Sequence, residues 1–166
     1  MKITLRRWMI TLSTLLLSLS LLVLSGCSPS PEEQKNTAIV LIDKANPQVF
    51  VRHIVSEYLT LSDELVMQYQ RYKAEDDAHG FILFRNNHWT PAYIDSKRGY
   101  DKTLFNQKAY IYRHQLNGVF DTFFELQQLS ILLKHSLLNQ DWHLEQQALQ
   151  RISEDRLIMM KYLKTE

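Results

Sequence analysis

Residues 101–138 read DKTLFNQKAYIYRHQLNGVFDTFFELQQLSILLKHSLL. Within this stretch Phe105, Ala109, Tyr112, Leu116, Val119, Phe123, Leu126, Ser130, Leu133 and Leu137 recur at alternating spacings of four and three. That alternation averages close to the 3.6-residue turn of an α-helix, so one side of the helix stays apolar along its whole length. Phe120, Phe124, Leu129, Ile131 and Leu132 make the second half apolar almost all round, as expected for a helix at the centre of a core. Asn117-Gly118 has the chemistry of a helix end. The stripe nevertheless passes through it in register. The expectation is one continuous or kinked helix from Asp101 to Leu138, about 57 Å long at roughly 1.5 Å per residue.

Downstream, Asn139-Gln140 leaves room only for a tight connection. Asp141 can cap a following helix opened by Trp142, with Leu144, Ala148, Leu149, Ile152, Leu157, Met159 and Leu163 as its apolar residues. So short a link folds the two helices into an antiparallel hairpin. Upstream, Asn46-Pro47 is a cap followed by a residue suited to the first helical position, and predicts a helix from Pro47 to about Glu75. Its stripe is Val51, Ile54, Tyr58, Leu61, Leu65, Gln68 and Tyr72, widened by Val55, Leu59, Val66 and Tyr69. Ser30-Pro31-Glu32-Glu33 carries a capping-box signature and predicts a further helix from Pro31 to about Ala45. Residues 76–100 break the pattern. Phe81-Ile82-Leu83-Phe84 reads as β, Asn86-Asn87 can turn, and Pro91 would confine a returning strand to a sheet edge. The expected fold is an all-α bundle of about four helices. It has a long helical hairpin and a small loop or β-hairpin insertion at about 76–100.

Composition narrows the function classes. The chain has 166 residues, with 19 Lys+Arg against 18 Asp+Glu. That balance supplies no broad positive field for nucleic acid. Four Gly and four Pro argue against a turn-rich all-β chain, and a lone Cys cannot form an intramolecular disulfide.

The N-terminus carries the clearest signal. Met1 to Trp8 includes Lys2, Arg6 and Arg7 with no acid, and Met9 to Val23 is a run of apolar, Ser and Thr residues. A positive region followed by such a run reads as a secretory signal, and the run is short for a permanent spanning helix. The following Leu24-Ser25-Gly26-Cys27 resembles the lipobox of bacterial lipoproteins. The resemblance implies diacylglycerol on the Cys27 thiol, cleavage after Gly26 and acylation (palmitate or a similar chain) of the new amino terminus. It gives residues 1–26 as signal peptide, 27–30 as lipidated tether and 31–166 as one helical domain. Ser28 stands where an Asp would signal retention at the inner membrane. By analogy with Gram-negative lipoproteins, this implies the periplasmic face of the outer membrane. Residues 27–166 carry 16 Lys+Arg against 18 Asp+Glu, so attachment falls to the acyl chains.

No catalytic motif emerges. The six histidines form no ligand pair. His53 and Glu57, four apart, are half a metal site at most and read more simply as a helical surface pair. Glu75-Asp76-Asp77 with His79 lacks the spaced oxygens and glycine turn of a calcium loop. No G-x-S-x-G, H-E-x-x-H or phosphate-cradling glycine loop is present. The expectation is therefore a protein without enzymatic activity and without cofactor, apart from the covalent lipid. Phe81, Phe84, Arg85, Trp89, Tyr93, Arg98 and Tyr100 form the candidate partner surface, because Trp, Tyr and Arg are enriched at binding hot spots. The same residues would otherwise cover one end of the bundle. The functional expectation is a membrane-anchored envelope lipoprotein acting as a protein-binding or assembly module, with a protein partner at the same membrane. In architecture it is similar to pilotins and to accessory subunits of envelope machines. The alternative is a periplasmic small-ligand-binding or enzymatic domain, its pocket lying between the 76–100 insertion and the bundle.

Overall fold

Pro47 has no amide hydrogen to leave unpaired, and its ring fixes a helical φ, so a helix opens there without loss. The computed structural model describes residues 41–164, and its first helix, α1, spans Pro47–Ala74. Its buried side chains include Val51, Ile54, Val55, Tyr58, Leu61, Leu65 and Tyr69, the stripe expected from spacing. Asn46 makes no side-chain cap bond. Residues 41–45 are not helical, which corrects the end of the helix expected from Pro31 to about Ala45. The backbone of Ile42 is taken by the Gln107 side chain, which accepts from Ile42 N at 2.7 Å and donates to Ile42 O at 2.9 Å. Positions 31–40 of that expectation lie outside the described residues.

The segment 76–100 is helical, and the loop or β-hairpin reading is corrected. Helix α2 (Ala78–Phe84) runs into a π-turn (Arg85–Trp89) and on into α3 (Thr90–Arg113). Asp77 caps the start, its carboxylate accepting from Gly80 N at 2.7 Å. Phe81, Arg85, Trp89 and Tyr93 follow one another at spacings of four and are all buried. In a regular α-helix such a row drifts by about 40° per step. The wider π-turn absorbs the extra residue and keeps the row facing the core. It also meets the demand of Pro91, which has no N–H to give and whose ring crowds the carbonyl four residues back. Burial of one face has overridden the β propensity of the short apolar run.

The long helix expected over Asp101–Leu138 is two helices. α3 ends at Arg113, and α4 spans Asn117–Asn139. The break precedes Gly118 and is made by Gln115, at φ 53°. Leu116 N donates to Ile111 O at 2.9 Å across it, the six-to-one bond of a Schellman end. The same device closes α1, where Asp76 is at φ 51° and Asp77 N reaches Tyr72 O, and α4, where Gln140 is at φ 53° and Asp141 N reaches Ser136 O. All three left-handed residues lack the freedom of glycine. Because of the break, Phe105, Ala109 and Tyr112 do not belong to the core stripe and are exposed. The inward face of α3 is Tyr100, Thr103 and Ile111, with Gln107 half-buried.

Helix α5 (Trp142–Tyr162) starts as expected, Asp141 accepting from His143 N and Leu144 N. It returns along α4 and also packs on α1. Lys73–Glu145 and Asp63–Arg156 pair across α1 and α5, so α5 is antiparallel to α1. Phe50 lies against Phe120 and Tyr69 against Ser136, so α1 and α4 run parallel. Helix α2 and the π-turn lie against α1, and α2 and α3 lie against α4. Among the described residues there is no β-strand.

Candidate functional site

The aromatic row from the 76–100 segment forms the centre of the core. Trp89 stacks on Tyr93 at 5.3 Å and 10°, Tyr93 stacks on Phe123 at 5.5 Å and 10°, and Tyr100 meets Phe123 edge-on at 4.8 Å. Their polar ends are satisfied inside: the Trp89 indole donates to Leu61 O at 2.9 Å and the Tyr93 hydroxyl to Phe124 O at 3.1 Å. Phe81, Trp89, Tyr93 and Tyr100 are at most 1 % exposed. Arg85 is buried too, donating to Ser130 Oγ at 3.1 Å and Asn86 Oδ1 at 3.0 Å, and burial lowers its affinity for the proton. Phe84 is half-buried, and only Arg98 of the seven stands in solvent. The seven therefore do not form an exposed docking face. Leu24, Ser25, Gly26 and Cys27 lie outside the described residues.

Four polar clusters remain to be weighed. In the first, Glu57 of α1 accepts from the hydroxyls of Tyr100 and of Ser96, the latter at 3.2 Å, and lies 3.9 Å from His53 Nε2. Burial, then the hydrogen bond to Glu57 and its charge, push the Tyr100 hydroxyl well above its ordinary range. Ser, His and Glu are all present, but His53 and Ser96 both address the carboxylate and no contact joins the two. The Ser-His-acid order of a triad is therefore not met, and the cluster works as a clamp between α1 and α3. Among the described residues no group of three or more His, Cys, Asp or Glu is placed to hold a metal.

The second is an open groove between α1 and the α2–π segment, about 650 Å³, lined by Glu64, Arg71, Asp77 and His88 among others. It occupies the place expected for the alternative reading. Asp77 there is committed to the Gly80 amide, and Glu64 is the other carboxylate of the lining. The third is a smaller cleft of about 260 Å³ where the ends of α1 and α4 meet the start of α5. Ser136 donates to Leu133 O, which leaves the Tyr69 hydroxyl to donate to Ser136 Oγ at 2.9 Å. Lys73 spans the cleft to Glu145 at 2.6 Å, and that carboxylate holds the ammonium proton more tightly than usual.

The fourth cluster escapes motif reasoning altogether. Asp155 of α5 is fully buried, and neither carboxylate oxygen has a hydrogen-bond partner. Arg151 Nε is 3.3 Å from Oδ1, a charge contact only. The guanidinium aims its protons at Glu125, with Nε to Oε1 at 2.8 Å and Nη2 to Oε2 at 2.7 Å. Burial above all, then the Glu125 charge, raise the Asp155 carboxyl from 3.8 to about 6. One sequence signal could have found it. Ala148, Ile152, Asp155 and Met159 form the buried four-three-four stripe of α5, so the acid occupies a core position. Compared with family models, with curated proteins and with solved structures, the chain matches none.

Proposed function

We propose that this chain is a lipid-anchored helical module of the bacterial envelope, and that it works at the membrane surface by binding another protein without catalysing a reaction. The observation that carries this reading is Leu24-Ser25-Gly26-Cys27, placed directly behind a positive and then apolar N-terminus. In this reading Cys27 becomes the first residue and bears the lipid, and Ser28 directs the protein to the outer membrane of a Gram-negative host. Among the described residues no helix is long and apolar enough to cross a membrane, and in this reading the acyl chains on Cys27 supply the attachment.

Chain length gives the reading its geometry. Leu41 follows Cys27 by 14 residues. At no more than about 3.6 Å per residue, the helical body is held within roughly 50 Å of the headgroups. The Ile42–Gln107 hydrogen bonds hold residue 42 against α3. A partner then belongs to the same membrane, embedded in it or assembled upon it. Mass spectrometry of the N-terminal peptide from native membranes tests the anchor, and an unmodified Cys27 thiol overturns it. Insertion of a Gly/Ser linker of about twenty residues after Ser30 tests the module. Folding is expected to survive while function weakens, because the effective concentration at the partner falls. Full activity with the linker, or from a chain lacking Cys27, refutes the scaffold reading.

A further inference from the structure

The outward face of α3 carries Phe105, 84 % exposed, and Tyr112, 55 % exposed. The Phe105 value is the highest among the large apolar side chains of the described residues. Fully burying such a ring is worth about 2 kcal/mol, so a surface that covered it would gain from the contact. The inward row Tyr100, Thr103, Gln107, Ile111 keeps spacings of three and four through the irregular φ of −120° at Gln107. The opposite row, Arg98, Lys102, Phe105, Ala109 and Tyr112, therefore lies on the outer side of α3, before and after the kink at Gln107.

Charge is concentrated on the same helix. Residues 27–166 carry an excess of acid, yet α3 has Lys97, Arg98, Lys102, Lys108 and Arg113 against only Asp95 and Asp101. Both acids are already engaged, Asp101 by Lys97 at 2.6 Å and Asp95 by Arg98 at 3.7 Å. Lys102, Lys108 and Arg113 have no ion pair among the described residues, and all three are exposed. Lys108 lies over the Tyr112 ring, 5.8 Å from its centroid. Two aromatic rings flanked by unpaired, long basic side chains make a face suited to an interface between headgroups and acyl chains. The rings enter the boundary while the stems lie along apolar surface and the charges meet phosphate.

We propose that this face of α3 docks onto a bilayer surface bearing anionic phospholipid. This deepens the membrane-surface reading above and rests on it for its cellular setting. A second copy of the chain fits the face poorly. A two-fold contact would bring the patch holding Lys102, Lys108 and Arg113 of one copy onto the same basic patch of the other. The helix also presents an exposed ring among unpaired cations, which suits a soft, negatively charged layer.

The test uses the mature chain, residues 27–166, with Cys27→Ser, so that no acyl chain contributes. Its co-sedimentation is measured with vesicles of phosphatidylcholine alone and of phosphatidylcholine mixed with phosphatidylglycerol. Binding to the anionic vesicles alone, weakened by salt, is expected. Lys102→Gln/Lys108→Gln/Arg113→Gln should weaken it about a hundredfold, at about fivefold per basic residue near a charged surface. Phe105→Ser should weaken it too, with an unchanged melting temperature. Equal binding to both vesicle types, or to neither, overturns the proposal. So does a Phe105→Ser variant that melts earlier, because the ring would then be packed within the chain itself. A concentration-dependent dimer that Phe105→Ser abolishes overturns it in favour of a second copy. The anchor is scored separately: lipid on Cys27 with no vesicle binding sinks this face and leaves the anchor standing. Vesicle binding with an unmodified Cys27 does the reverse.

Discussion

Asp155→Asn should stabilise this protein at neutral pH, and the gain should disappear in acid. The wild-type carboxyl is buried on α5 beside Glu125 and Glu154, and the one nearby cation, Arg151, spends its directed protons on Glu125. Its folded-state value is raised to about 6 from 3.8. The native state therefore holds this proton more tightly than the unfolded chain does. Stability from this group is full below the unfolded value and is lost as pH rises through the folded value. A shift of about two units corresponds to about 3 kcal/mol at neutral pH. Of this, about 2 kcal/mol should accumulate between roughly pH 4.5 and pH 7.5. Asparagine has the same shape and no charge. An amide left unpaired in the core costs about 1–3 kcal/mol, but that cost does not change with pH. The assay is urea unfolding of residues 27–166 with Cys27→Ser, and of its Asp155→Asn derivative, followed by circular dichroism across that range. Glu125 and Glu154 feel the Asp155 charge, so the difference reports Asp155 together with its coupling to these neighbours. A difference that stays flat to within about 0.5 kcal/mol over this window would refute the assigned proton affinity.

Three further outcomes can be checked by the same unfolding assay. Phe123→Asp, at a site with no exposure, should cost several kcal/mol or prevent folding, since it buries an unpaired charge; a variant that melts with the wild type would mean the core is misassigned. Gly80→Ala and Gly99→Ala should move in opposite directions. A Cβ on Gly80 meets the Asp77 carboxylate and comes within 2.6 Å of the Tyr72 ring, whereas one on Gly99 meets nothing within 4 Å, so the second gains about 0.5–1 kcal/mol of helix propensity. Gln140→Gly should stabilise by about 0.5–1 kcal/mol, because the left-handed conformation at φ 53° penalises a residue with a Cβ; destabilisation would show that the glutamine side chain earns its place by contacts.

The α4–α5 hairpin was legible because its signals are local and redundant: a stripe from Val119 to Leu133, a short link and an Asp141 cap that bonds as expected. The break before it was not. Helix ends are sought at glycine, and here Gln115 adopts the left-handed conformation two residues after α3 ends, while Gly118 lies inside α4. The 76–100 segment misled for a different reason. Four apolar residues in a row fit strand and buried helix alike. The deciding row, Phe81, Arg85, Trp89 and Tyr93, has a spacing that suits neither pattern until a π-turn is admitted. Composition then pointed outward when geometry pointed inward: the aromatic residues favoured at interfaces are also those that fill a core around Phe123. Asp155 went unnoticed because an acid in an apolar stripe is counted as a gap in it.

The hairpin has a consequence for the order of folding. Helices α4 and α5 meet through a turn of two residues at Gln140 and Asp141, so their contacts close a very short loop and forfeit little chain entropy. The Ile42–Gln107 bonds join residues 65 positions apart, and Tyr58 reaches Ile152 across 94. Contacts of low separation form early, and distant ones wait for a surface to land on. Substitutions at Leu133 or Ile152 should therefore slow folding, and substitutions at Gln107 should instead speed unfolding. The end of the body held by Ile42 and Gln107 would be the last part to close and the first to open.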